Sequence, residues 1–212
     1  MKVLVTGANG QLGQCLQELA PKFPEFQFTF CSSSDLDITN ESQIESVFSE
    51  VKPHFCINAA AYTAVDKAEA EPERAFLINE TAVAYLALAC KKFNTSLIHV
   101  STDFVFDGAK NTPYQETDAV NPLGVYGQSK LAGEQRIQEI LEPFYIVRTS
   151  WVYSDYGHNF KKTMLRLGKE RGAVSVVNDQ RGCPTHAIGL AQALLTIVNA
   201  KNQKAVPFGI YH

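Results

Sequence analysis

A glycine-rich segment near the N-terminus is the feature that most limits the possible folds. Gly7, Gly10 and Gly13 stand three residues apart, directly after the apolar run at residues 3–5 and at the start of a helical pattern that includes Leu12. Glycine permits a tight turn and a close approach of the backbone to a ligand, and a helix N-terminus attracts phosphate. Between a strand and a helix, this spacing predicts a dinucleotide-binding loop in an open α/β fold.

The remainder of the chain alternates between short apolar runs and patterns with helical spacing. We expect β-strands near residues 3–5, 26–30, 54–58, 97–101 and 144–148. Helical patterns are found near residues 12–19, 44–51, 72–92 and 126–141. Such alternation predicts parallel strands connected by helical crossovers. The predicted fold class is therefore α/β, a doubly wound, Rossmann-like parallel sheet with a small lobe beside it.

Composition narrows the functional classes. The chain has 212 residues, 45% of them hydrophobic, and a formal net charge of -3 with both signs mixed along its length. This content is enough for a full hydrophobic core, and the charge pattern does not build the one-sided basic surface that nucleic-acid binding requires. We therefore expect a small-molecule ligand and neither nucleic acid nor a membrane as a partner.

The cysteines and the N-terminus indicate a cytoplasmic protein. The five cysteines are widely spaced and contain no C-x-x-C pair, which is typical of reduced thiols. The apolar run at residues 3–5 is too short for a signal peptide, and no later run is long enough to span a bilayer. No cluster has metal-ligand spacing, so no metal is expected.

Two polar residues on the helical pattern at 126–141 are candidates for catalysis. Tyr126 and Lys130 are four residues apart and therefore lie on one helix face. A phenol with a pKa of about 10 is a weak acid at neutrality, and a nearby ammonium lowers that pKa. Tyr126 is the candidate general acid, and Lys130 would assist it and hold the nicotinamide ribose.

A third candidate follows the strand at residues 97–101. Thr102 stands at the carboxyl end of that strand, which faces the ligand crevice in an open α/β sheet. Its hydroxyl can donate a hydrogen bond to a substrate carbonyl. Ser101 is the alternative donor, and Thr102 would then only cap a turn.

The residues do not decide between NADPH and NADH. An acidic residue at the end of the second strand is typical of NAD binding, and a basic one of NADP binding. Ser32, Ser33 and Ser34 occupy that place, and their hydroxyls can bond a 2′-phosphate or form a turn. Asp35 or Asp37 can still reach the ribose or the adenine.

Five segments occur in order along the whole chain. They are GANGQLG at 7–13, NAAAYTAVDKAE at 58–69, STDFVF at 101–106, RTSWVY at 148–153 and DQRGCPT at 179–185. This set resembles the signatures of the extended short-chain dehydrogenases/reductases and, within them, of the dTDP-4-dehydrorhamnose reductases. Five matches in order are far more specific than any one of them.

The resemblance implies a reaction and a set of site residues. The reaction is reduction of the C4 keto group of dTDP-4-dehydro-L-rhamnose to dTDP-L-rhamnose by NADPH, with NADH as the alternative, and the catalytic residues are Thr102, Tyr126 and Lys130. The implied cofactor contacts are Gly7, Gly10, Gln11, Leu12, Gly13, Asp37, Ile38, Ala61, Tyr62, Thr63, Tyr126 and Lys130. The implied sugar-nucleotide contacts are Thr102, Asp103, Tyr126 and Trp151.

We expect three parts in the chain. Residues 1–150 are predicted to form the dinucleotide-binding domain, and residues 151–185, which fit the strand–helix rhythm poorly, part of a substrate-binding lobe. Residues 186–212 are predicted to return to the main domain as a helix and a strand. Proteins of the resembled family continue beyond that strand, so the lobe is expected to be incomplete and the chain truncated at its C-terminus. The sequence does not decide whether the chain forms a homodimer.

Other interpretations stay open at this point. The same catalytic residues fit a reductase or an epimerase of another nucleotide sugar. A non-catalytic relative, the regulatory beta subunit of methionine adenosyltransferase, also binds a dinucleotide. His99, inside an apolar strand, is interpreted as a core histidine and not as a catalyst. Asp66, Lys67 and Glu69 are interpreted as a charge cluster at a helix start.

Overall fold

Six parallel strands form the main sheet. The computed structural model describes residues 1–200 and 206–212. The strands are β1 Lys2–Thr6, β2 Gln27–Cys31, β3 Phe55–Asn58, β4 Ser96–Thr102, β5 Phe144–Thr149 and β8 Gly209–Tyr211. Their order in the sheet is β2-β1-β3-β4-β5-β8. The chain leaves β1 toward β2 and then returns to β3 on the other side, so the carboxyl ends of β1 and β3 form the switch point at which such sheets bind ligands.

Helices cover both faces of this sheet. They are α1 Gln11–Leu19, α2 Glu41–Val51, α3 Val65–Ala68, α4 Pro72–Phe76, α5 Ala82–Lys92, α6 Val125–Ile140, α7 Phe160–Arg171 and α8 Ala187–Ala200. Val3 and Val5 of β1 join the core formed by α1 and α8, whereas Leu4 joins the core formed by α2, α5 and α6. Successive side chains of the strand thus enter opposite cores. The predicted doubly wound α/β fold is confirmed.

The helix predicted at residues 72–92 is irregular in its middle. A π-helical turn, Leu77–Thr81, joins α4 to α5. Asn79 in this turn is buried and donates hydrogen bonds to the carbonyl of Tyr62 at 3.1 Å and to the hydroxyl of Ser129 at 3.0 Å. The turn therefore presents a polar side chain to α6, the helix that carries the candidate general acid.

Residues 151–185 lie beside the main sheet and form the segment that we call the lobe. Strand β6 (Val152–Tyr153) of the lobe pairs in a separate parallel sheet with β7 (Thr185–His186), which begins at the last residue of the lobe and ends one residue later. None of the residues of α7, between them in sequence, is buried. After the lobe, α8 packs against α1 and β8 pairs with β5. The part of the predicted C-terminal helix and strand segment that falls at residues 201–205 lies outside the described residues.

Among residues 1–200 and 206–212, no helix has the length and apolar character needed to cross a membrane. The same residues include no group of three or more His, Cys, Asp or Glu side chains that could hold a metal ion. All five cysteines are free, four of them buried.

Candidate active site

A cavity of about 1220 Å³ opens at the carboxyl ends of the central strands. Ten of the predicted site residues line it: Gly10, Gln11, Leu12, Ala61, Thr63, Thr102, Asp103, Tyr126, Lys130 and Trp151. Further lining residues come from the lobe, among them Tyr153 and Asn159. The cavity therefore joins the glycine loop, the catalytic candidates and the lobe in one space.

The glycine loop lies where α1 begins. Gly7 has a φ of +69°, and a Cβ there would lie 2.7 Å from the backbone of Ala59. A Cβ at Gly13 would lie 2.4 Å from the carbonyl oxygen of Gly7. Only glycine fits these two positions without a shift of the backbone. Gly10 precedes α1 and provides no side-chain cap, so the first N–H groups of the helix are open to a phosphate group, as a dinucleotide pyrophosphate requires.

The side chain of Gln11 connects α1 to the lobe. Its Oε1 accepts hydrogen bonds from Ser154 Oγ at 3.0 Å and from Asn159 Nδ2 at 2.9 Å. Asn159 in turn caps α7 by accepting the N–H of Lys162 at 3.0 Å. The side-chain oxygen of Gln11 therefore fastens the lobe to α1, and its backbone N–H at the start of α1 remains available for the predicted cofactor contact.

The predicted adenosine contacts are not part of the cavity lining. Asp37 is exposed, and its carboxylate accepts hydrogen bonds from the hydroxyl and the N–H of Thr39, which lower the pKa of Asp37. Ile38 is buried in the core under α2. At the end of β2, the Asp35 carboxylate accepts the N–H and the hydroxyl of Ser32 at 2.8 and 2.6 Å. Of the three serine hydroxyls considered for a 2′-phosphate, that of Ser32 is thus bound to a neighbouring carboxylate.

Tyr62, another predicted cofactor residue, is turned into the protein. It is 8% exposed and packs with Ala68 and Ala75. Its hydroxyl donates to Glu71 Oε2 at 3.0 Å, and its backbone N–H donates to Asn79 Oδ1 at 2.9 Å. The structure therefore does not bring its side chain to the other cofactor candidates. Its role is to anchor the segment whose neighbouring residues face the cavity.

Thr102 and Tyr126 lie close together at the carboxyl end of β4. The Thr102 hydroxyl donates to Asp103 Oδ1 and accepts the N–H of Phe104, both at 3.2 Å. The Tyr126 ring packs edge-on against Phe104, with centroids 5.6 Å apart. Burial raises the pKa of Tyr126, and a hydrogen bond with Thr102 opposes that rise. The phenol is therefore protonated at neutral pH, as a proton donor must be.

Lys130 follows one turn later on α6 and is 2% exposed. Its Nζ donates to the carbonyl of Val100 at 2.8 Å and lies 3.2 Å from His99 Nε2. Burial lowers the pKa of Lys130 to about 8, and Glu134 opposes this change. The sequence predicted that the ammonium lowers the pKa of Tyr126. A net lowering is not found in this structure, because burial raises the pKa of Tyr126 and Lys130 Nζ is bonded to the carbonyl of Val100 in β4.

A buried ion pair that sequence reasoning missed supports the catalytic candidates. Glu134 accepts a hydrogen bond from Ser101 Oγ at 2.5 Å, and its Oε2 lies 2.6 Å from Arg148 Nη2. The two charged side chains are 0% and 4% exposed, and they tie α6 to β4 and β5. The sequence contains one indication of this role of Glu134, because Glu134 continues the four-residue spacing of Tyr126 and Lys130 on the helix face that meets the sheet.

The start of α6 is held by Glu69, which the sequence analysis interpreted as part of a charge cluster at a helix start. Glu69 Oε1 accepts the N–H of Val125, the first residue of α6, at 2.8 Å. A carboxylate at a helix N-terminus satisfies a free N–H and interacts favourably with the helix dipole. The interpretation of Glu69 as part of a charge cluster at its own helix is therefore incomplete, because this side chain helps to place Tyr126.

Trp151 lies where β5 gives way to the lobe. Its φ of +46° is rare for a bulky residue and indicates local strain of the kind found at ligand sites. The residue is 41% exposed, and its ring centroid is 5.9 Å from that of Phe160. An exposed indole in the cavity wall fits contact with a ligand better than a role in the core.

Comparisons with known proteins agree with this geometry. Residues 1–212 match the family model described as RmlD substrate binding domain. The dTDP-4-dehydrorhamnose reductase of Aggregatibacter actinomycetemcomitans is 44% identical over 212 residues, which are 100% of this chain and 72% of that protein.

Two solved structures give the same result. The dTDP-4-dehydrorhamnose reductase from Bacillus anthracis in complex with NADP has a TM-score of 0.93 and 43% identity, covering 100% of this chain and 73% of that one. The corresponding reductase from Clostridium acetobutylicum has a TM-score of 0.93 and 41% identity, covering 100% and 74%. The resemblance predicted from five segments is thus confirmed over the whole chain. The chain belongs to the RmlD substrate binding domain family, that of the dTDP-4-dehydrorhamnose reductases.

Proposed function

We propose that this chain is an NADPH-dependent oxidoreductase that reduces the C4 keto group of dTDP-4-dehydro-L-rhamnose to give dTDP-L-rhamnose. The observation that carries the proposal is the placement of Thr102, Tyr126 and Lys130 on one cavity with the glycine loop, in a chain 44% identical to a reductase of that name. We propose NADPH and not NADH as the cofactor because the structure of a relative 43% identical to this chain was solved in complex with NADP.

The chain's own backbone would hold the cofactor. The backbone N–H groups at the N-terminus of α1 would hold the pyrophosphate, because no side chain caps them and the helix dipole favours negative charge. Bound NADPH supplies a hydride for the carbonyl carbon. We propose that the following residues contact the pyrophosphate, the adenosine end or the inner part of the cofactor: Gly7, Gly10, Gln11, Leu12, Gly13, Asp37, Ile38, Ala61 and Thr63.

Tyr126 supplies the proton. As the C4 carbon gains a hydride, its oxygen becomes negative, the O–H bond of Tyr126 breaks and a new O–H bond forms on the C4 oxygen. The Thr102 hydroxyl donates a hydrogen bond to the same oxygen and stabilises the developing charge. Lys130, four residues along α6, binds the ribose and in its charged form stabilises the phenolate left on Tyr126.

The lobe would supply part of the substrate site, opposite the cofactor domain formed by residues 1–150. Trp151 stacks on the hydrophobic face of the deoxysugar, for which its exposed indole is suited. Asp103, beside Thr102 in the cavity wall, accepts a hydrogen bond from a sugar hydroxyl. We place this reaction in the cytoplasm, where nucleotide sugars and NADPH are available.

The test follows NADPH absorbance with dTDP-4-dehydro-L-rhamnose. We expect turnover by the chain and a kcat lowered by about 10² to 10⁴-fold in Tyr126→Phe, because general acid catalysis contributes that much. Tyr85→Phe is the matched control, since Tyr85 lies on α5 and packs against the core remote from the cavity. If NADPH binds but is not oxidised with this substrate, the specific reaction is wrong and other nucleotide sugars are tested next.

A further inference from the structure

His99 of β4 makes a buried contact that the mechanism above does not use. Its side chain is 0% exposed. Its Nε2 lies 3.2 Å from Lys130 Nζ, and its Nδ1 lies 3.0 Å from Asn58 Nδ2. The imidazole therefore joins the proposed catalytic lysine to an asparagine at the end of β3.

The orientation of the Asn58 amide is decided by its other neighbours. The backbone N–H of Ala60 donates to Asn58 Oδ1 at 3.2 Å, and the Thr6 hydroxyl donates to the same oxygen at 2.6 Å. A backbone N–H can only donate, so the amide oxygen faces Ala60 and the NH₂ group faces His99. The amide nitrogen has only hydrogens to offer, and His99 Nδ1 must therefore accept with its lone pair.

This orientation determines the tautomer of His99. A neutral imidazole with a lone pair on Nδ1 carries its hydrogen on Nε2. That hydrogen is directed at Lys130 Nζ. An ammonium has three N–H bonds and no lone pair, so two donors would face each other. An uncharged amine has a lone pair and can accept this hydrogen bond.

We propose that His99 is a positioning residue that holds Lys130 as an uncharged amine against β4, and that the ammonium form of Lys130 turns from His99 toward Tyr126 and the cavity. The inference rests on the proposed function in so far as that function gives Lys130 and Tyr126 their roles. The conversion is a protonation: a hydronium ion from the solvent gives up one proton and becomes water, one N–H bond forms at Nζ, and nothing is oxidised or reduced.

The charged groups around Lys130 support this assignment. Glu134 on α6 is a carboxylate that favours the ammonium, but it is already paired with Arg148 of β5. Asp103, after β4, is bound to Thr102. Burial lowers the pKa of Lys130 to about 8, and a donor N–H from His99 acts in the same direction. The change between amine and ammonium therefore falls close to neutral pH.

The first test observes the tautomer directly and needs no turnover. In the chain labelled with ¹⁵N-histidine, long-range ¹H–¹⁵N spectra distinguish Nε2–H, Nδ1–H and protonated rings. His99→Asn identifies the His99 signals among the five histidines. We expect the Nε2–H tautomer from pH 6 to 9. An Nδ1–H tautomer or an imidazolium at neutral pH overturns the proposal.

The second test measures the titration of Lys130 from its Cε shift in ¹³C-lysine-labelled chain, assigned with Lys130→Met. In His99→Gln the side-chain oxygen can accept from Nζ, so we expect the pKa of Lys130 to rise by on the order of one unit and the pH profile of kcat/KM to move with it. His54→Gln is the control, because His54 bonds the N–H of Lys2 at an exposed site.

A second variant keeps the proposal testable if His99→Gln does not fold. Asn58→Asp replaces the amide donor by an acceptor, which moves the hydrogen of His99 to Nδ1 and turns the Nε2 lone pair toward Lys130. The same rise in the pKa of Lys130 is expected. Unchanged titration in both variants, even with reduced stability, means that His99 is only structural. If the titrations shift but no substrate is reduced, the proposed function is wrong and the inference stands.

Discussion

The two walls of the cavity differ in how they are built. On the side formed by the central strands and α6, Lys130 lines the cavity, and His99 and Glu134 are buried close to it; all three are at most 2% exposed and hydrogen-bonded. In the lobe wall, Trp151 and Phe160 are 41% and 53% exposed, and no residue of α7 is buried. The first wall is organised before any ligand arrives, whereas the second leaves apolar surface for one. Substitutions should therefore affect stability and chemistry in the first wall and substrate binding in the second.

The largest effect is expected from Glu134→Ala. Removing one partner of a buried ion pair leaves the Arg148 guanidinium without compensation, and such changes cost about 3–5 kcal/mol of unfolding free energy. Urea unfolding followed by circular dichroism measures it. Glu139→Ala is the control, because Glu139 is 62% exposed and paired with Arg136 at the surface, where little change is expected. Equal losses in both variants would contradict the contrast between buried and exposed charges.

A smaller effect concerns the pH dependence of stability. Because burial lowers the pKa of Lys130 from 10.5 to about 8, the unfolded chain holds a proton that the folded chain has released between these values, and stability rises with pH across that window. Relative to Lys130→Met, we expect the unfolding free energy of the unchanged chain to rise by roughly 3 kcal/mol from pH 7 to 10.5. In Lys91→Met, at an exposed position, the curve should run parallel to that of the unchanged chain. If the curve of Lys130→Met also runs parallel to that of the unchanged chain, the pKa of Lys130 is not lowered.

The glycine loop can be compared with a glycine of the lobe. Gly13→Ala would place a Cβ 2.4 Å from a backbone oxygen, so the loop must shift, with an expected cost of about 1–3 kcal/mol and weaker NADPH binding. Gly168→Ala, in α7 with no atom within 4 Å, should stabilise the chain by about 0.5–1 kcal/mol. Calorimetric NADPH titration and thermal unfolding test both. Unchanged NADPH affinity in Gly13→Ala would remove the loop from the proposed cofactor site.

The smallest effect is expected at Trp151, and it should fall on binding. Loss of ring stacking in Trp151→Ala is expected to raise the KM for the sugar nucleotide about tenfold, with little change in unfolding free energy because the side chain is partly exposed. Leu88→Ala, at a site 45% exposed on α5, should leave KM unchanged. A lower kcat at constant KM would instead place Trp151 with the chemistry of the buried wall.

Prediction from sequence succeeded where the signal was local. Hydrophobic period and glycine spacing predicted the first five strands of the main sheet to within one residue at each end. Four of these strands, β1, β3, β4 and β5, are mostly buried and read as apolar runs, and β2 at the sheet edge shows period-two alternation. The π-helical turn at Leu77–Thr81 was not predictable in this way. It is stabilised by contacts of Asn79 with Tyr62 and Ser129, which are distant in sequence. Tyr62 lies in a matching segment, yet its side chain faces a core that spacing does not indicate.

The sequence by itself determined the fold class, the glycine loop and the identity of Thr102, Tyr126 and Lys130 as candidates, since these depend on local period, local backbone freedom and characteristic spacing. Only the tertiary structure decided the protonation equilibria of Tyr126 and Lys130. Burial raises the pKa of Tyr126 and lowers that of Lys130, and the ion pair of Glu134 lies close by. The free energy of a charge depends on the groups and the solvent around it, which come together only when the chain folds.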